Sequence, residues 1–193
     1  MKREMRGNVC VFCASSANID SRYLDDAREL GRLLAVGGWR CVNGGGAVGL
    51  VGAVTDGTLD AGGEVTGVIP KFMVDSGWCY DRLQDVIVTA DMHQRKQMMS
   101  EMADAVIALP GGVGTLEELL ETLTWRQLGL IKTPVVILNS LGYYDSLLAM
   151  LGHAIDEGFM KPSHSQLWQV ATTPDQAIDL LNDGNPIEFE SKY

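Results

Sequence analysis

No stretch of this 193-residue chain is apolar for long enough to cross a bilayer. The longest run without Asp, Glu, Lys or Arg goes from Cys41 to Thr55, broken by Gly44, Gly45, Gly46, Gly49 and Gly52, against the ~20 apolar residues that a spanning helix needs. The apolar run behind Met1-Lys2-Arg3-Glu4-Met5-Arg6 is too short for a signal peptide, so a cytoplasmic protein without membrane contact is expected. Basic charge is scarce as well. The 15 Lys and Arg face 25 Asp and Glu, a formal net charge of −10, which repels polyanions and excludes a nucleic-acid polymer as the expected partner. A small anion held by a few local donors stays possible. Cysteine is sparse: Cys10, Cys13, Cys41 and Cys79 are expected to be reduced thiols. Cys10-x-x-Cys13 looks like half a zinc site, but residues three apart on a strand point to opposite faces, and there is no second such pair. His93, His153 and His164 lack metal-ligand spacing. No metal and no cofactor are expected.

What remains is a globular composition, 46% hydrophobic and 21% charged, with 22 glycines that cluster without a fibrous period. Short apolar runs alternate with stretches of helical periodicity. Strands are expected over Val9–Cys13, Trp39–Val42, Glu64–Ile69, Val86–Val88, Ala105–Leu109, Val135–Leu138 and Trp168–Val170. Helices are expected over 21–36, from the Gly44–Gly49 loop to about Leu59, over Asp91–Ala103, from the Gly111–Thr115 loop to about Leu128, over Tyr144–Glu157 and over Pro174–Leu181. Residues 71–84 read as irregular or weakly helical. The alternation predicts an α/β fold, a doubly wound, modified Rossmann-like parallel sheet with helices on both faces. It forms one domain over 1–193, with a core of about 8–183 and a tail of 184–193. Such folds bind ligands at the C-terminal ends of their strands.

Two glycine-rich loops fall at strand ends. Asn43-Gly44-Gly45-Gly46-Ala47-Val48-Gly49 follows a strand and opens a helix. It lets backbone N–H groups approach an anion, or it is simply a tight turn. Pro110-Gly111-Gly112-Val113-Gly114-Thr115-Leu116-Glu117-Glu118 repeats that arrangement, with a Thr115 hydroxyl that can donate to an anion. No Lys precedes Thr115, so it is not a Walker A loop, and the first loop is not a dinucleotide fingerprint. Thr115-x-x-Glu118 also fits a capping box, which gives Glu118 a purely structural reading. In Asp91-Met92-His93-Gln94-Arg95-Lys96, a second capping box places Arg95 and Lys96 early in a helix. Cations there oppose the macrodipole by about 0.3–1 kcal/mol each. An anionic ligand would offset that cost; otherwise they are surface cations. Met92, Met98, Met99 and Met102 lie roughly on one helical face, suited to core or subunit-interface packing.

Taken jointly, these motifs resemble the LOG (Lonely Guy) family of cytokinin riboside 5′-monophosphate phosphoribohydrolases. The Pro-Gly-Gly-x-Gly-Thr-x-x-Glu run is intact from Pro110 to Glu118, preceded by Arg95-Lys96. Gly44–Leu50, Gly67–Lys71, Thr124-Trp125-x-Gln127-Leu128-Gly129 and Gly142-Tyr143-Tyr144 match as well. The resemblance implies a hydrolase that cleaves a nucleoside 5′-monophosphate to free base and ribose 5-phosphate, with Arg95 and Glu118 as the catalytic pair and Arg95 keeping Glu118 ionised. It implies substrate contacts at Ser15, Gly45, Gly46, Lys96, Gly111, Gly112, Val113, Gly114, Thr115, Leu116, Glu117 and Thr124. It further implies a homodimer; apolar residues around Met98–Met102 and Leu119–Leu128 exceed what one sheet face requires, so a homodimer, or a larger assembly built from dimers, is expected to be held partly by those helices. This chain departs from the pattern at Ala14, in Cys13-Ala14-Ser15-Ser16, and at Gly77, where the family usually carries a Glu. A lysine decarboxylase label also attaches to such sequences, but no residue pattern here suggests a pyridoxal phosphate site. The alternative is a non-catalytic carrier of a nucleotide or phosphorylated cofactor on the same fold.

Overall fold

The β-branched runs form strands and the amphipathic segments between them form crossover helices. In the computed structural model, which describes residues 5–183, the strands are β1 (Gly7–Phe12), β2 (Trp39–Asn43), β3 (Val65–Pro70), β4 (Asp85–Thr89), β5 (Ala105–Ala108), β6 (Val135–Leu138) and β7 (Gln169–Ala171). The helices are α1 (Ser21–Val36), α2 (Gly49–Asp60), α3 (Lys71–Asp75), α4 (Met92–Met102), α5 (Val113–Gln127), α6 (Asp145–Asp156) and α7 (Pro174–Asn182). The expected tail, 184–193, lies outside the described residues.

All seven strands pair in parallel, in the order β4-β3-β2-β1-β5-β6-β7. The chain therefore winds outward from β1 in one direction, then returns to β5 and winds outward in the other. Strands with both faces covered are apolar throughout, and β5 and β6 are buried at every residue. Two cores result. Val9, Val11, Cys41, Ile107 and Val136 pack under α1, α2 and α7, whereas Cys10, Phe12, Val42, Val106 and Ile137 pack under α4, α5 and Tyr144. Cys10 and Cys13 do lie on opposite faces. All four cysteines are unpaired, and burial pushes the Cys41 thiol up to about 12.

The second capping box forms in its Asp91 half, while Gln94 reaches the N–H of the residue before the cap. The Asp91 carboxylate accepts from Gln94 N at 2.9 Å, and the Gln94 side chain accepts from Ala90 N at 2.7 Å. The first does not. Helix α5 begins at Val113, with Gly112 as N-cap and no side-chain cap, so Thr115 lies inside the first turn. The Thr115 side chain is turned back against Gly111, where an added Cβ would stand 2.1 Å from its Oγ1. Packing rather than capping fixes Thr115, and Glu118 is released for another partner. Among the described residues, no helix is long and apolar enough to cross a membrane.

Candidate active site

The point where successive connections diverge, between β1 and β5, opens a crevice at the C-terminal strand ends. Its walls start with backbone. Ala14 N donates to Pro110 O at 3.2 Å, and Leu50 N donates to Ala14 O at 2.9 Å, so the loops after β1 and β5 and the start of α2 are tied together. Tyr143 and Tyr144 hold the β5 exit from below. Their hydroxyls donate to Gly111 O and Leu109 O, each at 2.6 Å. Their rings meet edge to face at 5.0 Å. The turn that presents them contains Leu141 at φ +54°, the single non-glycine residue with positive φ among the described residues. The result is a cleft of about 710 Å³.

Arg95 and Glu118 meet in this cleft from different helices. Asp91 starts α4, which brings Arg95 over the sheet. Its Nε donates to Val68 O at 3.0 Å and its Nη1 donates to Glu118 Oε1 at 2.9 Å. Each side chain is only 11% exposed. Gly44 makes room for the guanidinium: a Cβ there would stand 2.4 Å from Nη2. Burial pushes the Glu118 carboxyl above its ordinary pKa, and Arg95 pulls it part of the way back. The pair alone was expected to keep Glu118 ionised; desolvation outweighs that pull, because both groups are largely removed from water.

The amino end of α5 faces the same space. No side chain caps it, and its first turn contains no acid. The N–H groups there have no intrahelical acceptor, and the helix dipole adds positive potential. Gly112 and Gly114 line the cleft, and a Cβ added at either meets nothing within 4 Å. Neither residue has a positive φ. Neither packing nor backbone conformation therefore requires glycine at these two positions, and both leave the backbone open to the cleft.

Comparison with known proteins fits this geometry. The family model described as "Possible lysine decarboxylase" matches residues 51–181. The cytokinin riboside 5′-monophosphate phosphoribohydrolase LOG4 of Arabidopsis thaliana is 43% identical over 186 residues, 96% of this chain and 86% of its own. The probable cytokinin riboside 5′-monophosphate phosphoribohydrolase LOGL3 of Oryza sativa subsp. japonica is 44% identical over 178 residues, 92% of this chain and 84% of its own. This chain belongs to the LOG family. Among solved structures, the molybdenum cofactor carrier protein of Chlamydomonas reinhardtii has a TM-score of 0.72 at 24% identity, over 92% of this chain and 96% of its own, which shows a shared fold.

Of the residues that the resemblance assigned to substrate, the LOG-family cleft is lined by Ser15, Gly46, Gly112, Gly114, Thr115 and Glu117, together with Arg95 and Glu118. Others stand back from it. Gly45 is buried, its N–H given to Asn43 Oδ1 at 2.9 Å. Gly111 lies beneath Thr115, Val113 is exposed, Leu116 packs into the core, and Thr124 bonds back to Leu120 O at 2.7 Å on the outer side of α5. Lys96 is not the uncompensated cation expected from its place in the helix. Its Nζ pairs with Glu117 and, at 3.0 Å, with Glu121. Those carboxylates on α5 offset the charge and raise its pKa. Sequence reasoning missed Met73, Trp78 and Met92, which also line the LOG-family cleft. Met73 and Met92 are apolar and Trp78 offers only an indole N–H, and for Met73 and Trp78 only the unpatterned composition of 71–84 gave a hint.

Proposed function

We propose that this protein hydrolyses the N-glycosidic bond of nucleoside 5′-monophosphates to free base and ribose 5-phosphate. The observation that carries this reading is the buried Arg95–Glu118 pair beside the uncapped α5 amino end, with both groups in one cleft. The phosphate sits against the N–H groups of the first turn, where Gly112 and Gly114 leave room. Positive charge then develops on the ribose ring as the C1′–N bond lengthens. The Glu118 carboxylate stabilises that charge and orients a water molecule. The water oxygen bonds to C1′, the C1′–N pair leaves with the base, and a water proton balances the base nitrogen. Arg95 positions Glu118. The names of the relatives, cytokinin riboside 5′-monophosphate phosphoribohydrolases, support the same reading. Incubation with adenosine 5′-monophosphate and chromatography for free adenine tests it; a protein that binds the nucleotide and releases no base is a carrier.

Removing space without removing a donor separates function from fold. Gly114→Ala adds a methyl group where nothing obstructs it within the protein. Helix stability is expected to hold or rise, by at most about 1 kcal/mol. The kcat/KM for the nucleotide is expected to fall about tenfold or more, a loss of about 1.4 kcal/mol in the transition state. A melting curve beside a rate measurement checks both halves.

The raised pKa of Glu118 has opposite consequences for rate and stability. The acid limb of kcat/KM should lie above the ordinary glutamate value of about 4.3, because the carboxylate is the active form. Arg95→Gln should move that limb further up, since Arg95 is the group pulling it down. The Glu118 contribution to stability is full below its unfolded pKa and is lost as pH rises through its folded one. An acid limb at or below the ordinary glutamate value would remove Glu118 from this role.

We also take the working form to be a homodimer in the cytoplasm. Four unpaired thiols support a reducing compartment. Helix α6 has no fully buried residue, while Leu130, Met150 and Phe159 are 69%, 59% and 85% exposed on the side that α5 and α6 cover. A second copy of the chain would cover them. Light scattering is expected to give about twice 20.9 kDa at micromolar concentration; a monomer would contradict this.

A further inference from the structure

One end of the cleft has no charged side chain, and its one strong hydrogen-bonding side-chain group is an indole N–H. That end is formed by Ile69, Met73, Gly77, Trp78 and Met92. The nearby carboxylate of Asp75 is held by Lys71 Nζ at 2.8 Å and does not line the cleft. Trp78 is 57% exposed, although its indole is among the largest apolar surfaces the chain could bury. The segment that carries it is nevertheless firmly held. Trp78 N donates to Met73 O at 3.0 Å, Cys79 bridges Gly46, and Tyr80 N donates to Gly45 O at 2.9 Å. The Tyr80 hydroxyl donates to Asp56 at 2.7 Å, and Arg82 binds Asp60 at 2.7 Å and also Asp56. Gly77, at φ +75°, makes the reversal that sets the indole at the cleft wall. An aromatic side chain carried on an anchored backbone, yet left uncovered by the fold, is suited to a flat partner.

We propose that Trp78 is the platform on which the nucleotide base stacks, and that it selects purines over pyrimidines by ring area. The inference rests on the nucleotide reading of the cleft. The α5 amino end follows β5 and the Trp78 segment follows β3, three positions apart in the sheet, or about 14 Å at ~4.8 Å per strand. Arg95 and Glu118 also line this cleft. A phosphate at the α5 end and a scissile bond at Glu118 direct the base toward Trp78. Among Ile69, Met73, Gly77, Trp78 and Met92 the indole N–H is the one strong side-chain hydrogen-bonding group, so stacking area is the main feature by which this wall distinguishes one base from another.

The test is calorimetric titration of protein carrying Glu118→Gln, which keeps the nucleotide uncleaved, alone and combined with Trp78→Ala, Trp78→Leu or Trp78→Phe. The probes are adenosine 5′-monophosphate, cytidine 5′-monophosphate and ribose 5-phosphate. Loss of the platform should weaken the adenosine nucleotide about 5- to 100-fold in the Ala and Leu variants. The Phe variant should keep most of the affinity. Ribose 5-phosphate, which has no base, should change less than about twofold. The preference for the adenosine over the cytidine nucleotide should shrink in step. Unchanged nucleotide affinity in Trp78→Ala, or an equal loss for ribose 5-phosphate, overturns the platform while leaving the nucleotide reading standing. Failure of the Glu118→Gln protein with native Trp78 to bind either adenosine 5′-monophosphate or ribose 5-phosphate overturns both.

Discussion

Glu118→Gln is expected to fold and to lose about a thousandfold in hydrolysis. Gln is close to Glu in shape and still accepts from Arg95 Nη1, so the 2.9 Å contact across α4 and α5 can persist. What disappears is the negative charge beside the ribose ring. No cap is lost, because α5 starts at Val113 and Glu118 takes no part in its N-terminus. The ion pair with Arg95 becomes a bond from the guanidinium to a neutral amide oxygen, which costs about 1–2 kcal/mol, while the penalty of burying a carboxylate is relieved. The net change should appear as a shift of a few degrees in Tm. A solely structural Glu118 predicts the same melting curve with near-normal turnover. Release of adenine at close to the wild-type rate by the folded variant would sink the catalytic assignment.

The 5′-phosphate is expected to be indispensable. Adenosine should be cleaved with a kcat/KM lower than that of adenosine 5′-monophosphate by two or more powers of ten. The uncapped first turn of α5 presents N–H groups to the cleft, and each donor left without a partner in a closed site costs about 1–3 kcal/mol; two such donors already reach the stated loss. Lys96 is expected to matter differently. Its charge is balanced by Glu117 and Glu121, so Lys96→Ala should disturb the docking of α4 on α5 and lower both substrates alike. Gly114→Ala, in contrast, should lower the nucleotide selectively and narrow the gap between the two substrates. Comparable efficiency on both substrates in the wild type would make the loop a structural turn, and the phosphoribohydrolase reading would fail with it.

Much of the frame was legible because each element carries its own periodicity. The apolar runs at Val9–Phe12, Ala105–Ala108 and Val135–Leu138 have no polar residue to expose, and they became covered central strands. The start of α5 was misplaced for a local reason. Thr115-x-x-Glu118 satisfies the spacing of a capping box, but Gly112 adopts extended backbone and opens the helix three residues earlier. Side-chain partners across helices were not legible from periodicity or capping, and the Arg95–Glu118 pairing came from the resemblance alone. Arg95 and Glu118 are 23 residues apart, and only the stacking of α4 beside α5 brings them within bonding distance. The same stacking neutralises Lys96, a fact invisible to a rule that weighs each helix end separately. The segment 71–84 was read as irregular or weakly helical, and α3 ends after a turn and a half. Its order comes from anchors on α2 and the β2 exit, Asp56, Asp60, Gly45 and Gly46, none of which belongs to its own periodicity.

Those anchors give the 71–84 part of the cleft wall a support of its own. The pieces proposed to carry the chemistry, Arg95, Glu118 and the α5 amino end, depend on α4, α5, the Val68 carbonyl and the Tyr143–Tyr144 strut. The wall around Trp78 depends on α2 and the β2 exit. Side chains in 71–84 can change without moving a catalytic atom, provided that the contacts to Asp56, Asp60, Gly45 and Gly46 are kept. Descent with modification can therefore revise which base is accepted while the hydrolytic half is inherited intact, and an engineer exchanging this one segment would have the same freedom.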